Sequence, residues 1–104
     1  MTDLPHLGGA RRELDSNLTA PTKLTLMAVL VHLDDIEFGA LRDATDLSDS
    51  ALSKQLSSLE AIGYVALRKG YVGKRPRTWV RAEPLGRTAF AAHVAALQAV
   101  IRPN

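Results

Sequence analysis

Five cationic side chains, Arg68, Lys69, Lys74, Arg75 and Arg77, fall within ten residues, and no acidic residue lies between positions 64 and 82. Guanidinium and ammonium groups at that density suit the phosphates of a polyanion, where they release counterions and supply salt-dependent affinity. Pro76 stiffens the stretch, so less entropy is lost on docking. Arginine has a further use, because a narrow minor groove concentrates negative potential around an inserted guanidinium. Tyr71 reads equally as a side chain that meets a nucleic-acid backbone and as one that packs over its own hairpin. The same charge run also fits a solvated basic loop.

A second polar set lies upstream. Leu52, Leu56, Leu59 and Ile62, spaced by 4, 3 and 3, make residues 49–62 an amphipathic helix with an apolar inner face. Its other face shows Ser50, Ser53, Lys54 and Ser57, with Gln55 at the edge, and with Ser48 at the helix start these are the candidate nucleic-acid contacts. Small hydroxyls let a helix approach a groove closely and bond to base edges or phosphates. Gln55 offers the donor and acceptor that adenine requires, and Lys54 reaches guanine or a phosphate. Ser48 is placed to cap this helix, Asp49 suits its first turn, and Gly63 ends it. The plainer reading is a polar solvent face. Serine is a mediocre helix former, however, so three serines on one face ask for a reason.

No catalytic motif accompanies these sets. The chain lacks a phosphate-binding glycine loop, a G-x-S-x-G elbow and an H-E-x-x-H pair. With no cysteine, thiolate metal sites, disulfides and cysteine nucleophiles are excluded. His32 beside Asp34, Asp35 and Glu37 reads as a solvated acidic turn rather than a metal site. The expectation is a chain with no enzymatic activity, no cofactor and no metal.

The elements that must position these residues follow from periodicity. Residues 1–9 read as a loose tail and residues 10–18 as a short helix with Leu14 and Leu18 on one face. Pro21 opens an apolar, central buried helix that ends at the acidic stretch 34–37. Residues 38–45 form a short helix presenting Phe38, Leu41 and Ala44 inward, and Asp46 and Leu47 make a turn. After the helix 49–62, two strand-like runs, 64–69 and 78–81, flank a hairpin loop over 70–77. Trp79 is expected in the core, tying the hairpin to the helices. Pro84 opens a last helix to about residue 102. The fold class is α+β, mostly helical, a winged helix-turn-helix followed by a C-terminal helix.

Residues 21–90 resemble the small MarR-like winged-helix transcriptional regulators of bacteria and archaea. The stretches FGALRDATDLSDSALSKQLSSLEAIGYV, RKGYVGKRPRTWV and PLGRTAF carry the likeness. The resemblance implies a homodimer whose third helix enters the major groove and whose wing touches the flanking minor groove or backbone. This chain departs from the pattern at Ala51, Gln55 and Glu83. The first two fall in the reading helix, so sequence preference is not carried over; Glu83 is expected to cap the last helix less well than threonine.

Charge and apolar patterning complete the reading. Residues 1–50 carry four bases and nine acids, whereas residues 51–104 carry nine bases and two acids, a split from −5 to +7 within a net charge of +2. On the last helix, Phe90, Val94, Leu97 and Ile101 beside an alanine stripe exceed what one-sided docking covers. With Leu14 and Leu18 they are the expected dimer interface. His93, beside that stripe, is a candidate for loosening a dimer near neutral pH. The organisation expected is a flexible tail over 1–9, a DNA-binding domain over 10–82 with reading helix 49–62 and wing 64–81, and a dimerisation helix over 83–104. Expected partners are double-stranded DNA with a pseudo-palindromic operator and a second copy of the chain. No secretory signal or membrane span is read, so the expected location is cytoplasmic. A winged helix acting on RNA or on another protein is the alternative, since fold alone does not decide function.

Overall fold

The computed structural model describes residues 4–102. Its elements run α1 (Gly8–Glu13), a 3-10 turn (Ser16–Leu18), α2 (Pro21–Leu30), β1 (Ile36–Glu37), α3 (Phe38–Thr45), α4 (Asp49–Ala61), β2 (Val65–Val72), β3 (Arg75–Ala82) and α5 (Pro84–Ile101). This is a winged helix with a C-terminal helix, as the residue pattern predicts. Pro21 and Pro84 each occupy the first turn of their helices, where a missing N–H costs nothing. Gly63 ends α4 with φ 82°, and Asp46 ends α3 in the left-handed region with φ 55°.

Leu26, Met27 and Leu30 of α2, Leu41 of α3, and Leu52, Leu56 and Leu59 of α4 close a core against Val65, Val80 and Ala82 of the sheet. Leu18 is also fully buried in it. Packing departs from periodicity at two helix ends. Ala44, in the last turn of α3, and Ile62, one residue past the end of α4, are exposed.

The N-terminal segment differs from its expected form. Gly8 and Gly9 begin a helix rather than close a tail, and the helix expected over 10–18 is interrupted after Glu13. Asp15 causes the break: its backbone is extended and its carboxylate accepts from the Asn17 N–H at 2.9 Å, starting the 3-10 turn instead.

The sheet holds a strand that local pattern did not reveal. Ile36 and Glu37, within the acidic stretch, pair antiparallel with Val80 and Trp79, giving the order β1-β3-β2. The hairpin is also tighter than the loop expected over 70–77. Val72 pairs with Arg75, so Gly73 and Lys74 alone make the turn, and Gly73 has φ 63°, the sign a type II′ turn needs at its first position. Gly70, Tyr71, Val72, Arg75, Pro76 and Arg77 are therefore strand residues. Pro76 is tolerated because β1 pairs with β3 only at Trp79 and Val80, leaving the tip two-stranded.

The core side of α5 centres on Gly86, His93 and Ala96. A Cβ on Gly86 would fall 2.2 Å from the Tyr64 carbonyl oxygen, so the glycine lets α5 start against the root of the wing. Phe90 packs on the core of its own domain. Leu18, fully buried, is removed from the expected dimer interface, whereas Phe90, Leu14, Val94 and Leu97 are half-buried and Ile101 is exposed. His93 is likewise enclosed: it is 1% exposed, and its Nδ1 accepts the Asp15 N–H at 2.9 Å. The expectation that it faces a partner is corrected by this burial.

Candidate nucleic-acid interface

Helix α4 is cut cleanly by its leucines. Ser48 caps it, its hydroxyl accepting from the Ala51 N–H at 3.1 Å, so this serine has a structural task in addition to any at a groove. Burying Leu52, Leu56 and Leu59 leaves Ser50, Ser53, Lys54 and Ser57 exposed along the opposite side. None of Ser53, Lys54 and Ser57 has a side-chain hydrogen bond or ion pair among the described residues. Gln55 is half-buried at the flank of the apolar side, away from the serines. What the helix presents is a low, polar ridge carrying one cation.

The strand register sorts the wing bases onto two faces, since alternate residues point oppositely. Lys69 lies opposite Thr78 and Tyr71 opposite Pro76, on the face that continues from Val65 and Leu67. Arg68 opposite Trp79, Gly70 opposite Arg77 and Val72 opposite Arg75 occupy the other. Tyr71 is 74% exposed and does not close over the hairpin. Lys69, Lys74 and Arg75 are exposed.

Two of the arginines have partners already. The Arg68 guanidinium stacks over the Trp79 ring at 4.6 Å. Trp79 therefore lies on the outer face of the sheet, not in the core, because its neighbour Val80 takes the inward position. Arg77 Nε stands 3.8 Å from the Glu37 carboxylate.

Sequence reasoning passed over Arg42. Its Nη1 donates to Asp49 at 2.9 Å and its Nε to Asp43 at 3.1 Å, strapping α3 to the first turn of α4. These bonds, with Asp49 first, raise the guanidinium above its ordinary range. A cleft between α3, the start of α4 and the wing is lined by Glu37, Arg42, Asp43, Asp49 and Arg77. The missed signal was an arginine seven residues before an acid across a helix-turn-helix.

Arg87 and Arg81 serve the fold. Arg87 donates to the Val31 and Leu33 carbonyls, each at 2.8 Å, and to the Ala82 carbonyl at 3.3 Å, capping the end of α2 from α5. Glu83 stands at the N-cap of α5 without bonding to it; its carboxylate accepts from Arg81 Nε at 3.1 Å instead.

Residues 22–101 match the family model described as a winged helix DNA-binding domain. The chain belongs to this family. An uncharacterized protein of Methanocaldococcus jannaschii is 29% identical over 72 residues, covering 69% of this chain and 78% of that protein. Among solved structures, a transcriptional regulator homologue from Pyrococcus horikoshii superposes with TM-score 0.80 at 27% identity, covering 88% of this chain and 91% of that one. The Staphylococcus aureus MepR–DNA complex shares the fold at TM-score 0.72 and 12% identity, over 89% of this chain and 76% of that one. The resemblance to MarR-like winged-helix regulators thus holds over the helices, the wing and α5 of this winged-helix domain. Among the described residues no helix is long and apolar enough to cross a membrane.

Proposed function

We propose that the protein is a sequence-specific, double-stranded DNA-binding transcriptional regulator acting as a homodimer in the cytoplasm. The observation that carries this reading is the pairing of two surfaces: the exposed ridge of Ser50, Ser53, Lys54 and Ser57 on α4, and the exposed bases of the wing. In a winged-helix DNA-binding domain, such a ridge enters the major groove while the wing follows the adjacent minor groove or backbone. Lys54 and the hydroxyls supply base contacts, and Lys69, Lys74 and Arg75 supply phosphate contacts. Tyr71, exposed near the wing tip, adds a ring and a hydroxyl for the backbone.

Dimerisation is supported by apolar surface that one chain leaves open. Ile101 is 71% exposed, and Leu14, Val94 and Leu97 are half-buried, in a part of the molecule distant in sequence from the wing. A two-fold pairing there covers these side chains and presents two reading helices, which read half-sites about 34 Å apart. The operator is accordingly a pseudo-palindrome.

The test is fluorescence anisotropy against a duplex from the protein's own upstream region and a shuffled duplex, across salt concentrations. Tighter binding to the native duplex, with a log–log salt slope of several units (about −0.9 per phosphate contacted), is the expected result. No binding to either duplex overturns the reading and favours an RNA or protein partner.

A further inference from the structure

The cleft between the reading helix and the wing holds a run of alternating charge that the DNA-binding reading does not explain. Arg42 is bonded to Asp43 and Asp49, and Arg77 stands beside Glu37. Resting on the DNA-binding reading above, we propose that this cleft seats a backbone phosphate on Arg42 and Arg77, which exchange their carboxylate partners for it.

A helix in the major groove and a wing on the minor groove engage opposite sides of one sugar-phosphate strand. That strand crosses the space between them, and the cleft occupies this space: Asp49 lies in the first turn of α4, and Arg77 lies on the wing strand β3. Any phosphate there meets Arg42 and Arg77 as its cationic neighbours in the lining.

The ion pairs are of the kind that yields to a stronger anion. Arg42 and Arg77 side chains are 38% and 37% exposed, and Asp43 and Asp49 are 74% and 71% exposed, so water screens both attractions. The Arg77–Glu37 separation of 3.8 Å is long for a hydrogen bond. Arg42 uses Nε and Nη1 on its acids, and Nη2 makes no hydrogen bond among the described residues. That nitrogen and the Glu37 carboxylate both lie within 3.6 Å of where a Gly39 Cβ would be, so the two groups share the cleft. Once released, Asp49 keeps a favourable place in the first turn of α4, where the helix dipole suits an anion.

The cleft's three acids outnumber its two arginines, which makes it a weak attractor for a distant phosphate. Contact is made only when the duplex is seated closely enough to replace the carboxylates. The acids therefore hold back loose association, and the arginines reward a fully docked strand.

The experiment is salt-dependent anisotropy of the full chain with the native and shuffled duplexes, for wild type, R42Q and E37Q, with folding checked by circular dichroism and thermal melting. R42Q is expected to flatten the log–log slope by about 0.9 and to weaken binding about eightfold at 0.1 M salt. E37Q, which removes the competitor for Arg77, is expected to tighten binding severalfold. A folded R42Q with the wild-type slope overturns the proposal and leaves Arg42 as a strap between helices. Weaker binding by E37Q overturns it as well, and decides the matter if R42Q does not fold. Wild type that binds neither duplex overturns both this inference and the DNA reading, whereas an unchanged slope in R42Q removes this inference alone.

Discussion

The Arg68 guanidinium lies 4.6 Å from the centre of the Trp79 ring, directly across the β2–β3 ladder. The pair turns two residues that look unrelated in sequence into one brace on the outer face of the wing. It also withdraws a base from the set available to DNA. Arg68→Ala is therefore expected to lower stability by about 0.5–1 kcal/mol, the worth of a solvent-exposed cation–π contact, with little change in salt slope. Arg75→Ala, at an exposed position beside the turn, is expected to flatten the slope by about 0.9 on any duplex. Anisotropy and urea melts on both variants check the contrast; equal slope losses would place Arg68 on phosphate.

Leu97 is half-buried on α5, one turn from exposed Ile101. A carboxylate there is tolerated by a monomer and not by an apolar interface between copies. Leu97→Glu is expected to halve the mass measured by light scattering while keeping the helical signal. A wild-type mass in this variant would remove α5 from the interface.

Gly86 has no room for a side chain, because the Tyr64 carbonyl oxygen would sit 2.2 Å from its Cβ. That oxygen is backbone and already accepts the Glu83 N–H at 2.9 Å, so it cannot swing aside. Gly86→Ala is expected to cost about 2–4 kcal/mol by forcing α5 away from the wing root. A thermal melt reads it as a fall of roughly 10–20 °C at this chain length.

Arg87 satisfies carbonyls at the end of α2 from a helix more than fifty residues away in sequence. Arg87→Met keeps the aliphatic stem and removes the donors. The expected loss is about 2 kcal/mol, the scale of hydrogen bonds from a charged group, with the salt slope for DNA unchanged. A flatter slope would mean that Arg87 reaches DNA.

Tyr64 donates to the Asp15 carboxylate at 2.5 Å, and burial first, then that bond, raises its hydroxyl above the usual value of 10.0. The folded state thus holds the phenolic proton more tightly than the unfolded chain does. This contribution is complete below about pH 10 and is lost as pH rises through the folded value. Urea melts from pH 8 to pH 11 are expected to show stability falling at the alkaline end, with a shallower fall in Tyr64→Phe. Equal falls in both proteins would assign the effect to other groups.

Much of this molecule was determined by sequence alone, wherever the cause is local. Leucine spacing set the inner face of α4, Ser48 its start and Gly63 its end. Proline placed the starts of α2 and α5, and the change of period after Gly63 marked the wing. The same spacing exposed Ser50, Ser53, Lys54 and Ser57, because a helix that buries one side must show the other. Tertiary structure decided what depends on distant partners. Strand β1 exists because Val80 and Trp79 offer a free edge to Ile36 and Glu37. Register, which no single strand contains, sent Val80 inward and Trp79 outward, and so gave Arg68 a partner. Leu18 was drawn into its own core, and His93 was enclosed on the Asp15 N–H. The charge of Arg42 is readable in the sequence; that Asp49 holds it at the cleft follows only from how α3 meets α4.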